Sequence, residues 1–274
     1  MKKPRILSIQ DLSCFGQCST TVALPILSAC GYETAVLPTA ILSTHTYQFK
    51  DYIYIDLTDK LNDFINHWKK ENIKFDVIYT GYLGNINEIK LIDEIHHSLV
   101  EDNNLLVVDP AMGDDGRLYP SFNQDYVDEM KNLINRADII IPNVTELCFL
   151  TGNEYKDKHS IEYISKLIHD LPNLEHQKVV VTGIHYSTTT IGVAVYEDGN
   201  INFYEHARFK KGCHGTGDVY ASIFIAMYLD GHSLFESSKI AADFTYQCIK
   251  NTRKDEDHWY GVEFEPLLKD FINK

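Results

Sequence analysis

The chain lacks nearly everything that would commit it to a membrane, a nucleic acid or an oxidising compartment. No apolar run approaches the roughly 20 residues that cross a bilayer. The basic start Met1-Lys2-Lys3-Pro4-Arg5 leads directly into Ile6-Leu7-Ser8-Ile9, with no apolar signal core between them. The six cysteines, at positions 14, 18, 30, 148, 213 and 248, include no Cys-x-x-Cys pair, so free thiols in a reducing compartment are expected. Cys14 and Cys18, taken with His96-His97, lack the second spaced pair that a zinc site needs. Cations are scarce: 25 Lys and Arg stand against 39 Asp and Glu, a net charge of −14, which leaves nucleic acid out of the expected partners. A small anion is not excluded, since local amides and a metal ion act inside the roughly 10 Å beyond which salt screens the global charge. A cytoplasmic protein is the expectation, and Asn143-Val144-Thr145 then matches a glycosylation acceptor by chance.

Several signature loops are missing as well. The first apolar run is followed by Asp11-Leu12-Ser13-Cys14-Phe15-Gly16, which is no Gly-x-Gly-x-x-Gly dinucleotide turn. Neither a Gly-x-x-x-x-Gly-Lys-Ser/Thr loop nor a Gly-x-Ser-x-Gly elbow occurs. Prolines number only 8, and no repeat, linker or low-complexity tract interrupts the chain, so one domain over 1–274 is expected. At 44% hydrophobic, that length buries a core without disulfides or metals.

What the chain does have is alternation of short apolar runs with longer amphipathic ones, the pattern of strand-helix-strand units on a mainly parallel sheet. Strands are predicted over Ile6–Gln10, Thr34–Pro38, Val77–Thr80, Leu105–Asp109, Ile139–Pro142 and Val179–Thr182. Helices are predicted over Thr20–Cys30, Asp59–Asn72, Glu88–Glu101, Asp125–Asn135, Ser160–His169, Val219–Leu229 and Leu234–Lys250, with Gly231 as the break before the last. Thr190–Tyr196 and Asn200–His206 flank Glu197-Asp198-Gly199 and predict a hairpin at a sheet edge near the ligand.

One turn carries the chemistry. Gly212-Cys213-His214-Gly215-Thr216-Gly217-Asp218 places glycines and a carboxylate where an apolar helix begins, so unpaired first-turn amides can cradle a phosphate while the acid takes a proton from an alcohol. A glycine turn capped by Asp218 would look the same. The company decides. Strands end in Asp109-Pro110-Ala111-Met112-Gly113-Asp114, in Pro142-Asn143-Val144-Thr145-Glu146 and in Thr182-Gly183, which brings hard oxygen ligands to a phosphate site, as Mg²⁺ with a nucleotide requires.

Together the glycine turn with its Asp, the Asp-Pro-x-Met-Gly-Asp segment and the Pro-Asn-x-x-Glu segment resemble the ribokinase-like superfamily. Ser8-Ile9-Gln10-Asp11 with Gly16, Leu42-Ser43-Thr44-His45-Thr46 and Thr80-Gly81-Tyr82-Leu83-Gly84 resemble the substrate half of pyridoxal kinases, and more narrowly the bacterial pyridoxamine kinase branch, from about Arg5 to about Thr252. The resemblance implies an α/β three-layer fold, with a mainly parallel central sheet, helices on both faces and a small edge hairpin. It implies ATP- and Mg²⁺-dependent phosphorylation of the 5′-hydroxymethyl group of a B6 vitamer, by a homodimer. Asp218 is then the base, ionised because a helix start should lower its pKa. Gly215, Thr216 and Gly217 form the anion hole, and Asp11, His45, Thr46 and Tyr82 surround the ring. Asp109, Asp114, Tyr119, Asn143, Glu146 and Thr182 face the nucleotide, with Glu146, Asn143 and Asp109 near the metal, partly through water. A monovalent cation beside Thr182 and Tyr119 stays open, because this chain has Ile141 where some relatives have threonine. Asp11 also departs from the resemblance, which has serine there, and could shift vitamer choice. A hydroxymethylpyrimidine kinase and a non-catalytic vitamer-binding protein remain the alternatives.

Overall fold

The Val/Ile runs carry their side chains alternately to two different cores, which is what a sheet buried on both faces demands. The computed structural model describes residues 3–209, 212–255 and 257–273. In chain order the elements are β1 (Arg5–Ser13), α1 (Thr20–Ala29), β2 (Glu33–Leu42), β3 (Tyr54–Asp56), α2 (Thr58–Lys70), β4 (Phe75–Thr80), α3 (Ile86–Ser98) and β5 (Val100–Val108). There follow β6 (Gly113–Asp114), β7 (Arg117–Leu118), α4 (Gln124–Ile134), β8 (Ile139–Ile140), α5 (Val144–Thr151) and α6 (Ile161–His169). The chain then forms β9 (Lys178–Ile184), β10 (Thr190–Glu197), β11 (Asn200–Ala207), α7 (Thr216–Leu229), α8 (Leu234–Thr252) and α9 (Glu265–Ile272).

Among the described residues the main sheet has nine strands in the order β11-β10-β9-β8-β5-β4-β1-β2-β3, and β6 pairs with β7 alone. Pairing is parallel from β2 through β1, β4, β5 and β8 to β9, and antiparallel at both edges. Leu7 and Ile9 of β1, Leu106 and Val108 of β5, and Val179 and Val181 of β9 enter one core with α2 to α6. Their neighbours Ile6, Val107 and Val180 enter the other, with α1, α7, α8 and α9. The three-layer α/β architecture is thus as the sequence implied. Chain order reverses beside β1, which puts the ends of β1 and β4 at the switch point where such sheets bind ligands.

Departures from the predicted elements have local causes. The helix predicted through Glu101 stops at Ser98, because Val100 turns back into β5 and pairs with Phe75. Helix α5 was read only as a polar strand tip. Its eight residues are apolar almost all round and six are buried, so no amphipathic period shows. The edge strand β3, the β6–β7 hairpin and α9 were also not predicted, each being too short for a periodic signal. The β10–β11 hairpin turns at Asp198 (φ 51°) and Gly199 (φ 81°) and occupies the sheet edge, as predicted.

Helix α3 starts at Asn85, whose side-chain oxygen accepts from the N–H groups of Asn87 (2.9 Å) and Glu88 (3.2 Å) while its Nδ2 donates to Thr58 Oγ1 (2.8 Å). Asn85→Ala is expected to cost about 1 to 2 kcal/mol, the range for a lost N-cap. Urea unfolding should show a lower midpoint at unchanged slope.

Candidate active site

The C-terminal ends of the parallel strands and the start of α7 enclose a cleft of about 570 Å³. Two helices begin on it, and their N-termini are treated in opposite ways. At α5 the chain closes its own amides: Asn143 Oδ1 accepts from Glu146 N–H (2.9 Å), and Glu146 Oε2 accepts from Asn143 N–H (2.8 Å), a reciprocal capping box. Glu146 Oε1 accepts from Met112 N–H (3.1 Å) and Asn143 Nδ2 donates to the Gly113 carbonyl (2.8 Å), so both side chains also tie down the loop after β5. At α7 no side chain caps the helix. Gly215 sits at φ 80°, and a Cβ there would lie 1.9 Å from the Gln17 carbonyl oxygen, so only glycine fits. A Cβ at Gly217 would meet nothing within 4 Å, and the Thr216 hydroxyl turns back to the Cys213 carbonyl (3.3 Å). The amides of Gly215, Thr216 and Gly217 at the head of a fourteen-residue helix are therefore left for an anion in the cleft.

Asp218 follows in that first turn. Its pKa is not lowered, as expected from a helix start, but raised to about 7. Desolvation by the surrounding protein is the main cause and the charge of Asp11 adds to it, while the N–H groups of Ser19 and of Asp218 itself pull the other way. The side chain keeps some solvent contact, so the desolvation comes from the walls of the cleft rather than from full enclosure. Ser19 holds φ 49° and ψ −129°, an unfavourable backbone for a residue with a Cβ.

Most of the other predicted residues gather along the same cleft: Asp109, Asp114, Tyr119, Asn143, Glu146 and Thr182 all line it. Asp109 follows β5, its carboxylate accepts no hydrogen bond from the described residues, and burial followed by Asp218 raises its pKa well above the usual range. Glu146 is raised likewise by burial and then by Asp109. Thr182 is bridged to Asn143 through the backbone, beside the apolar Ile141. Asp114 and Tyr119 lie exposed at the rim. Among the described residues no three His, Cys, Asp or Glu side chains converge into a metal cage.

The predicted ring-contacting residues are elsewhere, at the switch point. Asp11 sits where the β1–β2 register slips between Gln10 and Leu12, an irregularity of the kind that re-aims a side chain. It is buried, accepts from Ser13 Oγ (2.9 Å), and desolvation raises its pKa against the pull of Ser19 and Ser13. His45 is buried with both nitrogens engaged: Nε2 lies 2.7 Å from the Tyr260 carbonyl, and Nδ1 accepts from Tyr47 N–H (3.2 Å). A carbonyl can only accept and an N–H only donate, so the ring is the neutral Nε2–H tautomer with no nitrogen to spare for a ligand. What it offers is its face, 4.2 Å from the His214 ring, and His214 lines the main cleft. Tyr82 stacks near Phe122 (5.5 Å) with its hydroxyl 3.4 Å from Ser121 Oγ, and Thr46 is exposed; neither lines the 570 Å³ cleft.

The far wall of the cleft was not predicted. It is built by Phe209 stacked on Tyr246 (4.9 Å, 17°), by His185, and by Thr245, whose buried hydroxyl has no partner among the described residues. These residues lie on the hairpin side and on α8, and no local motif connects them.

Asp11 and His45 at the switch point, beside a helix N-terminus that carries both free amides and a carboxylate, suit a ribokinase-like phosphotransferase. The chain belongs to the phosphomethylpyrimidine kinase family, whose profile matches residues 24–261. A Bacteroides thetaiotaomicron protein assigned to the phosphomethylpyrimidine kinases, crystallised with pyridoxal, is 34% identical and superposes with a TM-score of 0.91 over 100% of this chain and 96% of that one. The pyridoxal kinase of Lactobacillus plantarum is 31% identical, with a TM-score of 0.90 over 98% and 97%. The pyridoxal kinase of Dictyostelium discoideum is 29% identical over 81% of this chain and 78% of its own.

A carboxylate in this position accepts a proton only when ionised, so with Asp218 as base kcat/KM for an alcohol acceptor is expected to rise with pH through about 7. The stability linkage has the opposite sign. A folded pKa near 7 against 3.8 unfolded means that ionisation costs nothing below pH 3.8, costs more as pH rises, and costs its full amount above 7. Asp218→Asn should therefore raise Tm, and by more at pH 8 than at pH 5.5. An equal change at both values would put the titration elsewhere.

Proposed function

We infer that this protein transfers the γ-phosphoryl group of ATP to the 5′-hydroxymethyl oxygen of pyridoxal, pyridoxamine or pyridoxine. The observation that carries the reading is the position of Asp218, on the first turn of α7 beside the free amides of Gly215 to Gly217 and within reach of the Asp11 charge. Asp218 takes the proton from the acceptor hydroxyl as that oxygen bonds to phosphorus and the bond to the ADP oxygen breaks. Its raised pKa suits a base that works near neutral pH. The α7 amides stabilise charge on the equatorial oxygens. Likeness to pyridoxal kinases of two organisms and to a protein crystallised with pyridoxal supports the vitamer as acceptor.

The donor set fits a magnesium nucleotide. Asp109 and Glu146 are carboxylates in a desolvated wall, and among the described residues neither forms an ion pair with Lys or Arg. Asp109 and Glu146 would hold the ion, partly through water since the amides of Asn143 and Met112 already occupy both Glu146 oxygens. When bound, Mg²⁺ neutralises phosphate charge during transfer. Asn143 acts here by holding Glu146, Thr182 and Tyr119 border the phosphates, and no step is given to a monovalent cation. A single kinase domain acting as a homodimer in the cytoplasm completes the reading, and cysteines that form no disulfide among the described residues suit a reducing compartment.

Purified protein offered ATP, Mg²⁺ and a panel of the three vitamers and hydroxymethylpyrimidine should phosphorylate the vitamers with the higher kcat/KM. Preference for the pyrimidine would overturn the assignment. Asp218→Asn should lower kcat roughly 100-fold or more with KM for ATP little changed. Glu146→Gln should raise the Mg²⁺ concentration for half-maximal rate several-fold while Tm stays within a few degrees, because the amide oxygen can keep one capping contact. An unchanged Mg²⁺ titration would take Glu146 out of the metal's surroundings.

A further inference from the structure

The segment His258–Val262 lies far along the chain from the loops of the acceptor pocket, yet it is bonded to all three. Gln17 and Gly261 form a parallel bridge onto the loop after β1. The Tyr260 carbonyl lies 2.7 Å from His45 Nε2 in the loop after β2. Val262 N–H donates to the His214 carbonyl (3.0 Å), one residue before the N-cap of α7. The fit is close enough that a Cβ on Gly261 would come within 2.7 Å of the Gln17 nitrogen.

The same segment supplies rings. Trp259 packs on Phe49 (4.8 Å), Tyr260 on Phe15 (4.8 Å), and Phe49 on His45 (4.9 Å), which continues to His214 (4.2 Å) at the mouth of the cleft. Although interlocked, these rings are not closed off from water: Phe15 is 49% and Trp259 45% exposed. Aromatic faces left open beside a pocket are surface that a flat ring can cover. Both histidines of the chain of rings are held neutral, His45 by its two backbone partners and His214 by burial, so the wall recognises a ring by its face and not by its charge.

Resting on the vitamer kinase reading, we propose that His258–Val262 is a strap that shapes the acceptor end, with Trp259 and Tyr260 as its specificity-determining outer wall for a flat heteroaromatic alcohol. Trp259 and Tyr260 pack on rings of the acceptor loops, so these side chains act on acceptor binding, whereas the strap's tie to the turn before α7 is the backbone bond from Val262.

Trp259→Ala is expected to raise KM for pyridoxine roughly 3- to 10-fold, the scale of one lost aromatic contact, with KM for ATP and Tm unchanged. Trp259→Phe should restore most of the loss. An independent readout follows from the presence of only two tryptophans. In Trp68→Phe, Trp259 becomes the sole emitter, and pyridoxine, which has no aldehyde to react with lysines, should change its fluorescence saturably whereas a non-hydrolysable ATP analogue should not. An unchanged acceptor KM in Trp259→Ala, equal rises in both KM values, or no response of Trp259 to pyridoxine would overturn the proposal. Wild-type protein that phosphorylates no vitamer while Trp259 still responds saturably to a hydroxymethyl heterocycle would sink the functional reading and leave the strap standing.

Discussion

Uncompensated negative charge at the head of one helix is the constraint on which the rest of the site depends. Asp11 acts on Asp218 at the start of α7, Asp218 acts on Asp109, Asp109 acts in turn on Glu146 at the start of α5, and desolvation is the leading cause of the raised pKa of each. Among the described residues none of the four is ion-paired to Lys or Arg. Such an arrangement costs stability, since removing a carboxylate from water without a partner raises the free energy of its charged form. Proteins keep such costs where the missing charge arrives with a ligand. Here the magnesium nucleotide of the proposed function would bring the cation, so the cluster is least favourable when empty and is relieved by the state in which the reaction occurs.

The two helix starts on the cleft show how the chain directs that ligand. A helix N-terminus attracts anions wherever its amides are free. At α5 the Asn143–Glu146 box takes the Glu146 amide and turns the helix start into a brace for the Met112–Gly113 loop. At α7 the glycine N-cap offers no side chain, and its tight contact with the Gln17 carbonyl fixes the turn with the amides facing out. One sequence rule, a polar cap three residues before an acid, thus braces one helix start, and the proposed function places the phosphate at the other.

Much of this was legible in the sequence, because strand ends and glycine turns are local signals. The runs 105–109, 139–142 and 179–182 all became adjacent parallel strands or their ends, and the residues flagged after them do line one cleft. What escaped depended on distance along the chain or on burial. The pKa direction of Asp218 could not follow from a helix-start argument, since the competing desolvation comes from walls supplied by remote segments. Glu146 was legible as an acid near a phosphate but not as a cap using both oxygens. His45 was legible as a residue beside the ring, but not that its nitrogens are spent on Tyr47 and Tyr260, the latter 215 residues away.

That last contact bears on how the acceptor and phosphate halves are joined. Loop 11–18, loop 43–49 and the turn before α7 come from separate parts of the chain, and no single strand register relates all three. Hydrogen bonds from the strap do so directly, through Gly261, Tyr260 and Val262. Phosphoryl transfer depends on alignment of the attacking oxygen with phosphorus to within a fraction of an ångström, and misplacement of about 1 Å costs about 100-fold in rate. In the function proposed here, the acceptor loops aim the hydroxyl and the α7 turn holds the phosphate. A cross-link between them whose contacts are mostly backbone is insensitive to side-chain rotamers, so it can hold that alignment while the aromatic rings around it adapt to the acceptor.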